Sequence, residues 1–265
     1  MVVASALGVS AFGHRIAVLT DCQRAHEYFD RCLLPWLPRS TPDPEAADLV
    51  FRVSQNREGN VFSAQAGDRM IASHDTLPAI FELLQRLTDE VVTRGLRDMV
   101  AIHAGVVAWN GCAALLPGAS HAGKTTLVME LLKRGAVYYS DEYALLDAEG
   151  RVHAYPRPLM IRDRGGFRQP TLASAWNAAT ADSPATVRLI LSVEWASEEQ
   201  WRVGRIPQSE ALLVLLKNTP RAMADSPEIL GCLRSAASSA ICYAGVRGEA
   251  AEASEHVMEL FAALG

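Results

Sequence analysis

Gly118-Ala119-Ser120-His121-Ala122-Gly123-Lys124-Thr125-Thr126 fits the phosphate-loop pattern G-x-x-x-x-G-K-[ST]. The apolar run Cys112-Ala113-Ala114-Leu115-Leu116 predicts a strand leading in. Thr126 to Arg134 predicts a helix leading out, stopped by Gly135. Such a strand–turn–helix turns its backbone N–H groups inward as an anion nest and adds the positive end of the helix dipole. Glycines 118 and 123 let the chain approach a phosphate with no Cβ in the way. Lys124 is expected to reach the β- and γ-phosphates, and the Thr125 hydroxyl to take a Mg²⁺ position. Thr126 closes the run, where packing or capping the helix is its simplest use. His121 stands where such loops often carry glycine, and reads more simply as a side chain on the solvent rim than as a catalytic group. The nine residues together are the candidate nucleotide-binding segment, and ATP with Mg²⁺ are the cofactors they argue for.

The next chemical feature downstream is Asp141-Glu142, just beyond the short apolar strand expected at Ala136 to Tyr139. Buried acids need a cation or hydrogen bonds, and a nucleotide-held Mg²⁺ would supply the cation. Read alone, two solvated turn acids account for the pair equally well. Asp141 follows Lys124 by 17 residues, one helix and one strand away. A strand parallel to and beside the loop strand would bring both acids to the phosphate end of the sheet.

The remainder of the chain narrows the classes of function. It has 265 residues, 49% of them hydrophobic, and a net charge of −5, which suit a globular chain of one large domain or two smaller ones. No apolar run approaches the ~20 residues that span a bilayer. The first seven residues lack the basic and apolar stretches of a signal peptide, so a cytoplasmic protein is expected. Five scattered cysteines without C-x-x-C spacing predict reduced thiols rather than a zinc site. Lysines and arginines form no basic stripe interleaved with aromatics, which leaves nucleic-acid binding unsupported.

Two regions are expected. Residues 1–97 form a small α+β N-terminal region. Its strands lie at Arg15–Leu19, Leu49–Val53, Val61–Ala64 and Arg69–Ala72, its helices at Gln23–Leu34 and Pro78–Arg94, and its sheet reads as antiparallel. Ile80, Leu83, Leu84, Leu87 and Val91 recur at helical spacing and predict the core face of the second helix. Residues 98–265 carry the loop. They begin with a hairpin, Ala101–Trp109 and Cys112–Leu116, about an Asn110-Gly111 turn. Further strands fall at Tyr143–Asp147, Arg151–Tyr155, Leu159–Arg162, Val187–Trp195, Trp201–Ile206 and Ala240–Val246, with helices near Ser209–Lys217, Ser226–Ser239 and Glu249–Ala263. Strands outnumber the helices between them, so the fold class is α/β with a mixed sheet.

The short distance from loop to acids, with His103 fifteen residues before Gly118, resembles the catalytic domain of HPr kinase/phosphorylase. That family runs Met-His-Gly-Val, hairpin, G-x-S-G-x-G-K-S, helix, Arg-Gly, strand, Asp-Asp. This chain has Ile102-His103-Ala104-Gly105-Val106, the loop, Arg134-Gly135 and Ser140-Asp141-Glu142. It is most similar to the HPr-kinase-related branch with Leu-His-Ala, Leu-Leu-Pro-Gly, Ser-Asp-Glu and a later Pro-Arg-Pro, here Pro156-Arg157-Pro158. PEP carboxykinase shares the G-K-T-T-L style of loop and is more distant. The resemblance covers residues 98 to 162 firmly and extends less closely to 265.

The resemblance implies a P-loop HPr kinase/PEP carboxykinase-like catalytic domain and a γ-phosphate transfer to a Ser or Thr hydroxyl. The acceptor would be a small protein or peptide, since relatives of this branch tailor ribosomally made precursors such as lasso peptides. It implies Asp141 as general base, Glu142 with Thr125 as Mg²⁺ ligands, Lys124 on the phosphates and His103 supporting Asp141. A hydrogen-bonded core histidine on a buried strand is the competing account of His103. Arg157 and Arg205 are further candidates for transition-state charge, or ordinary structural arginines. The N-terminal region would recognise the partner. A homo-oligomer is also implied, for which the chain itself carries no signal. Two positions depart from the family: His121 replaces the usual loop glycine, and Met160 precedes Ile161-Arg162 where HPr kinases carry glutamate. These departures leave room for a nucleotide-sensing module without transfer, and the loop alone would also serve a small-molecule kinase.

Overall fold

The computed structural model describes residues 5–34, 36–118, 122–162, 166, 168–220 and 227–264. Strands and helices alternate irregularly. First come β1 Ser5–Ala11, β2 His14–Thr20, α1 Gln23–Leu33, β3 Arg39–Ser40, β4 Leu49–Gln55, β5 Phe62–Ala66, β6 Arg69–His74 and α2 Leu77–Gly95. Then follow β7 Met99–Trp109, β8 Cys112–Pro117, α3 Lys124–Lys133, β9 Val137–Ser140, β10 Tyr143–Asp147 and β11 Arg151–His153. The hairpin strands β12 Leu159–Arg162 and β13 Arg168–Thr171 come next, before β14 Ala185–Trp195 and β15 Arg202–Arg205. The chain ends with α4 Gln208–Lys217, α5 Pro227–Ser239, β16 Ile241–Arg247 and α6 Ala250–Ala262. The class is mixed α/β. Among the described residues, no helix is long and apolar enough to cross a membrane.

The chain divides into two compact units, one of residues 1–96 with 157–172, the other of 97–156 with 173–265. The sequence reading kept 157–172 in the second region. In the structure that stretch holds the β12–β13 hairpin, which among the described residues forms a two-stranded sheet of its own and lies with α2.

In the first unit the strand order is β3-β1-β2-β4-β5-β6. The expected antiparallel sheet is in fact mixed, because α1 carries the chain from β2 over to a parallel β4. Phe29 and Leu33 of α1, Phe51 and Val53 of β4, and Ile80, Phe81 and Leu84 of α2 form its core. Phe29 meets Phe51 edge-on at 6.4 Å between ring centres. The far half of α2 differs from the expected apolar face. Leu87 and Val91 are only half-buried, while Thr88, Asp89, Val92 and Thr93 are buried. Asp89 is turned inward by a partner remote in sequence, the Arg157 guanidinium. Gln85 Nε2 beside it donates to the carbonyl of Pro158 at 3.0 Å.

In the second unit the strand order is β11-β10-β7-β8-β14-β16-β15. β7 is long enough to pair with β10 through Met99–His103 and with β9 through Val106–Ala108. β11 also pairs with the start of β14, so five strands form a closed circuit around a core that includes Val100, Ile102, Leu115, Val187 and Ile190. The two-residue turn at Asn110-Gly111 takes positive φ at both positions, as a tight hairpin between twisted strands requires. β8, β14 and β16 run parallel, so their C-terminal ends share one edge with the glycine-rich loop.

Candidate functional site

β8 ends at Pro117, and α3 begins at Lys124. Between them Gly118, Ala122 and Gly123 are described. Ala119, Ser120 and His121 lie outside the described residues, so the sequence expectations for them, including a rim position for His121, lie outside them too. Gly123 is the residue before the helix and takes φ 77°, ψ 17°, a left-handed conformation that costs any residue with a Cβ about 1–2 kcal/mol. Lys124 folds back so that Nζ donates to the Gly118 carbonyl at 2.7 Å. Burial pushes the Lys124 ammonium below the usual lysine range, and the charges of Glu142 and Asp141 pull it back upward. Thr126 is exposed, and among the described residues no side chain caps α3.

The acids arrive by a different route from the one expected. β9 is parallel in direction to β8 but not its neighbour, because β7 runs between them, antiparallel to both. Val106 of β7 faces Ser140, and Ala104 N–H donates to the Glu142 carbonyl at 3.1 Å. This sets Asp141-Glu142 level with the end of β8, since Ala104 also pairs with Pro117. Thr125 Oγ1 donates to Asp141 Oδ2 at 2.7 Å, joining the loop to the first acid. Asp141 is only 7% exposed.

His103 is brought to Glu142 and Tyr143. Its Nδ1 lies 3.6 Å from Glu142 Oε1, and its Nε2 lies 3.4 Å from the Tyr143 hydroxyl. The two rings pack at 4.4 Å between centres. Tyr143 was not singled out in the sequence. Its signal is register, because it directly follows the acids and opens β10 opposite His103.

Arg247 is the larger omission. It ends β16, is 2% exposed, and donates from Nη2 to the Gly123 carbonyl at 2.9 Å and from Nη1 to the Gly248 carbonyl at 2.8 Å. Burial lowers its pKa from the usual arginine value, with Glu249 opposing. The two arginines considered from the sequence are placed otherwise. Arg157 is buried against Asp89, and Arg205 is exposed on the edge strand β15. Met160 is buried in β12.

The arrangement gathers two cations, Lys124 and Arg247, and two carboxylates at one end of parallel strands. A shallow cleft there is lined by Pro117, Gly123, Lys124, Leu191, Val193 and Arg247. Among the described residues no cluster of three or more His, Cys, Asp or Glu forms a cage for a metal. One hydroxyl and two carboxylates are instead hard oxygen donors of the kind Mg²⁺ takes when phosphates and water complete its shell. The residues fit that ion better than a soft metal. No family model and no curated protein matches the chain.

Proposed function

We propose that the second unit is an ATP- and Mg²⁺-dependent kinase of the HPr-kinase-related type. It transfers the γ-phosphate to a Ser or Thr hydroxyl of a peptide or small protein. The observation that carries this reading is the Thr125–Asp141 hydrogen bond, which couples the loop's metal-binding hydroxyl to an acid at 2.7 Å. Lys124 leaves the Gly118 carbonyl to hold the β- and γ-phosphates, and Arg247 adds positive charge from behind Gly123. Thr125 and Glu142 would hold Mg²⁺, which when bound would supply charge neutralisation for the phosphoryl group. Asp141 accepts the proton of the acceptor hydroxyl. His103 and Tyr143 fix the position of Glu142 beside it. Positioning and charge neutralisation carry most of such a transfer.

Exposure favours a second assignment of the two acids. Asp141 is buried with one oxygen on Thr125, whereas the Glu142 side chain is 35% exposed and lies beside His103. Glu142 would then be the base, and Asp141 the group behind the metal. Asp141→Asn and Glu142→Gln separate the two, measured as phosphate transfer from MgATP and as MgATP affinity. The general base should lose about 10²–10⁴ in kcat with MgATP affinity kept. The metal-side acid should lose MgATP affinity as well. Full transfer by both variants would sink the kinase reading.

A further inference from the structure

We propose that Trp195 is the platform on which the base of the bound nucleoside triphosphate stacks. This rests on the loop being a nucleotide site, and adds to it the place of the nucleoside. β14 ends at Trp195, in register with Arg247 at the end of β16. Arg247 is bonded to the Gly123 carbonyl, and a Cβ built on Gly123 would lie 3.5 Å from the Trp195 Cβ. The indole therefore starts against the last glycine of the loop. Its backbone is held by the parallel ladder and by Ala196 N–H donating to the Arg247 carbonyl at 3.0 Å.

Trp195 is 48% exposed. Tyr138 and Tyr155 of the same unit are 1% exposed, and Trp201 is covered by the His256 ring at 5.0 Å. Among the described residues no ring stacks on Trp195. A lone exposed aromatic is ordinary by itself; what singles out Trp195 is its place against the last glycine of the loop, in register with Arg247. The position also suits the direction of the ligand. Thr125 is tied to Asp141 on the β7 side of β8, which sets the terminal phosphate on that flank. The nucleoside must then leave across the β14 side, where Trp195 and Arg247 stand. Stacking needs only a π-face, so an indole here gives affinity for the base without demanding one base identity.

The test compares MgATP with Mg-tripolyphosphate, which has the phosphates and no base, by titration calorimetry on the full chain. Trp195→Ala should weaken MgATP by about tenfold or more, the loss of one base–aromatic stack. It should leave tripolyphosphate affinity unchanged, and Trp195→Phe should keep most of the MgATP affinity. Equal weakening of both ligands, or of neither, overturns the platform. So does a parent protein that binds tripolyphosphate as tightly as MgATP, an outcome that leaves the phosphate site standing. A parent that binds neither ligand overturns the nucleotide site and the platform together.

Discussion

Asp141 stands two residues before β10 and Asp147 ends that strand; both are nearly buried and are held by different means. Asp141 is 7% exposed and accepts from a hydroxyl of the glycine-rich loop. Asp147 is 6% exposed and accepts from Arg151 N–H and Nε and from His153 Nε2, each at 2.9 Å. Burial alone would raise the Asp147 pKa. The bonds from His153 and Arg151 outweigh it and hold the carboxyl below the usual aspartate value. A depressed folded pKa means the stabilisation is complete above the unfolded value of about 3.9 and is lost as pH falls through the folded value. Asp147→Asn should therefore cost about 1–3 kcal/mol at pH 7 and flatten the loss of stability below about pH 4. Urea unfolding at pH 7 and pH 3 checks it, and an acid limb as steep as the parent's contradicts it. Sequence legibility at this scale depended on spacing. Lys124, Thr125 and the two acids could be named as candidates because they fall in a motif and at a short separation along the chain. Arg247 and Tyr143 could not, since one meets Gly123 from 124 residues away and the other is chosen by strand register.

Helices and hairpins were the legible elements, because each rests on neighbours in sequence. α1, α2 and the β7–β8 turn follow from local periodicity and an Asn-Gly pair. β1 was not legible: Ser5, Ala6, Gly8, Ser10 and Ala11 are poor strand formers, and its seven-residue pairing with β2 and a short one with β3 make it a strand. β13 contains Pro170 and was passed over for the same reason. The neighbours of β9 needed the whole sheet, since β7 serves β10 and β9 with its two halves. Element packing supplies its own prediction at Gly150, in the turn between β10 and β11. Gly150 has φ 75°, and a Cβ there would lie 2.4 Å from the backbone nitrogen of Ala236 in α5. Gly150→Ala should cost about 2–4 kcal/mol through left-handed strain and overpacking against the helix. Thermal melting checks this; a change of Tm no larger than an ordinary surface substitution gives would contradict it.

Across the whole molecule, the candidate site lies in the second unit, where parallel β8, β14 and β16 end together beside the acids. The boundary near residue 97 is readable from the end of a long amphipathic helix. The return of 157–172 to the first unit is not, because the Asp89–Arg157 pairing joins residues 68 apart. The central claim is that this chain binds a nucleoside triphosphate with Mg²⁺ through the loop at Gly118–Thr126. A ligand at 100 times its Kd stabilises the folded state by about 2.7 kcal/mol. For a chain of this size that raises Tm by about 5–10 °C. The direct measurement is Tm with and without saturating MgATP, for the parent and for Lys124→Ala. The account predicts a rise of that order in the parent and its near-complete loss in the variant. A parent whose Tm does not move with MgATP, or a variant that keeps the full rise, would contradict it.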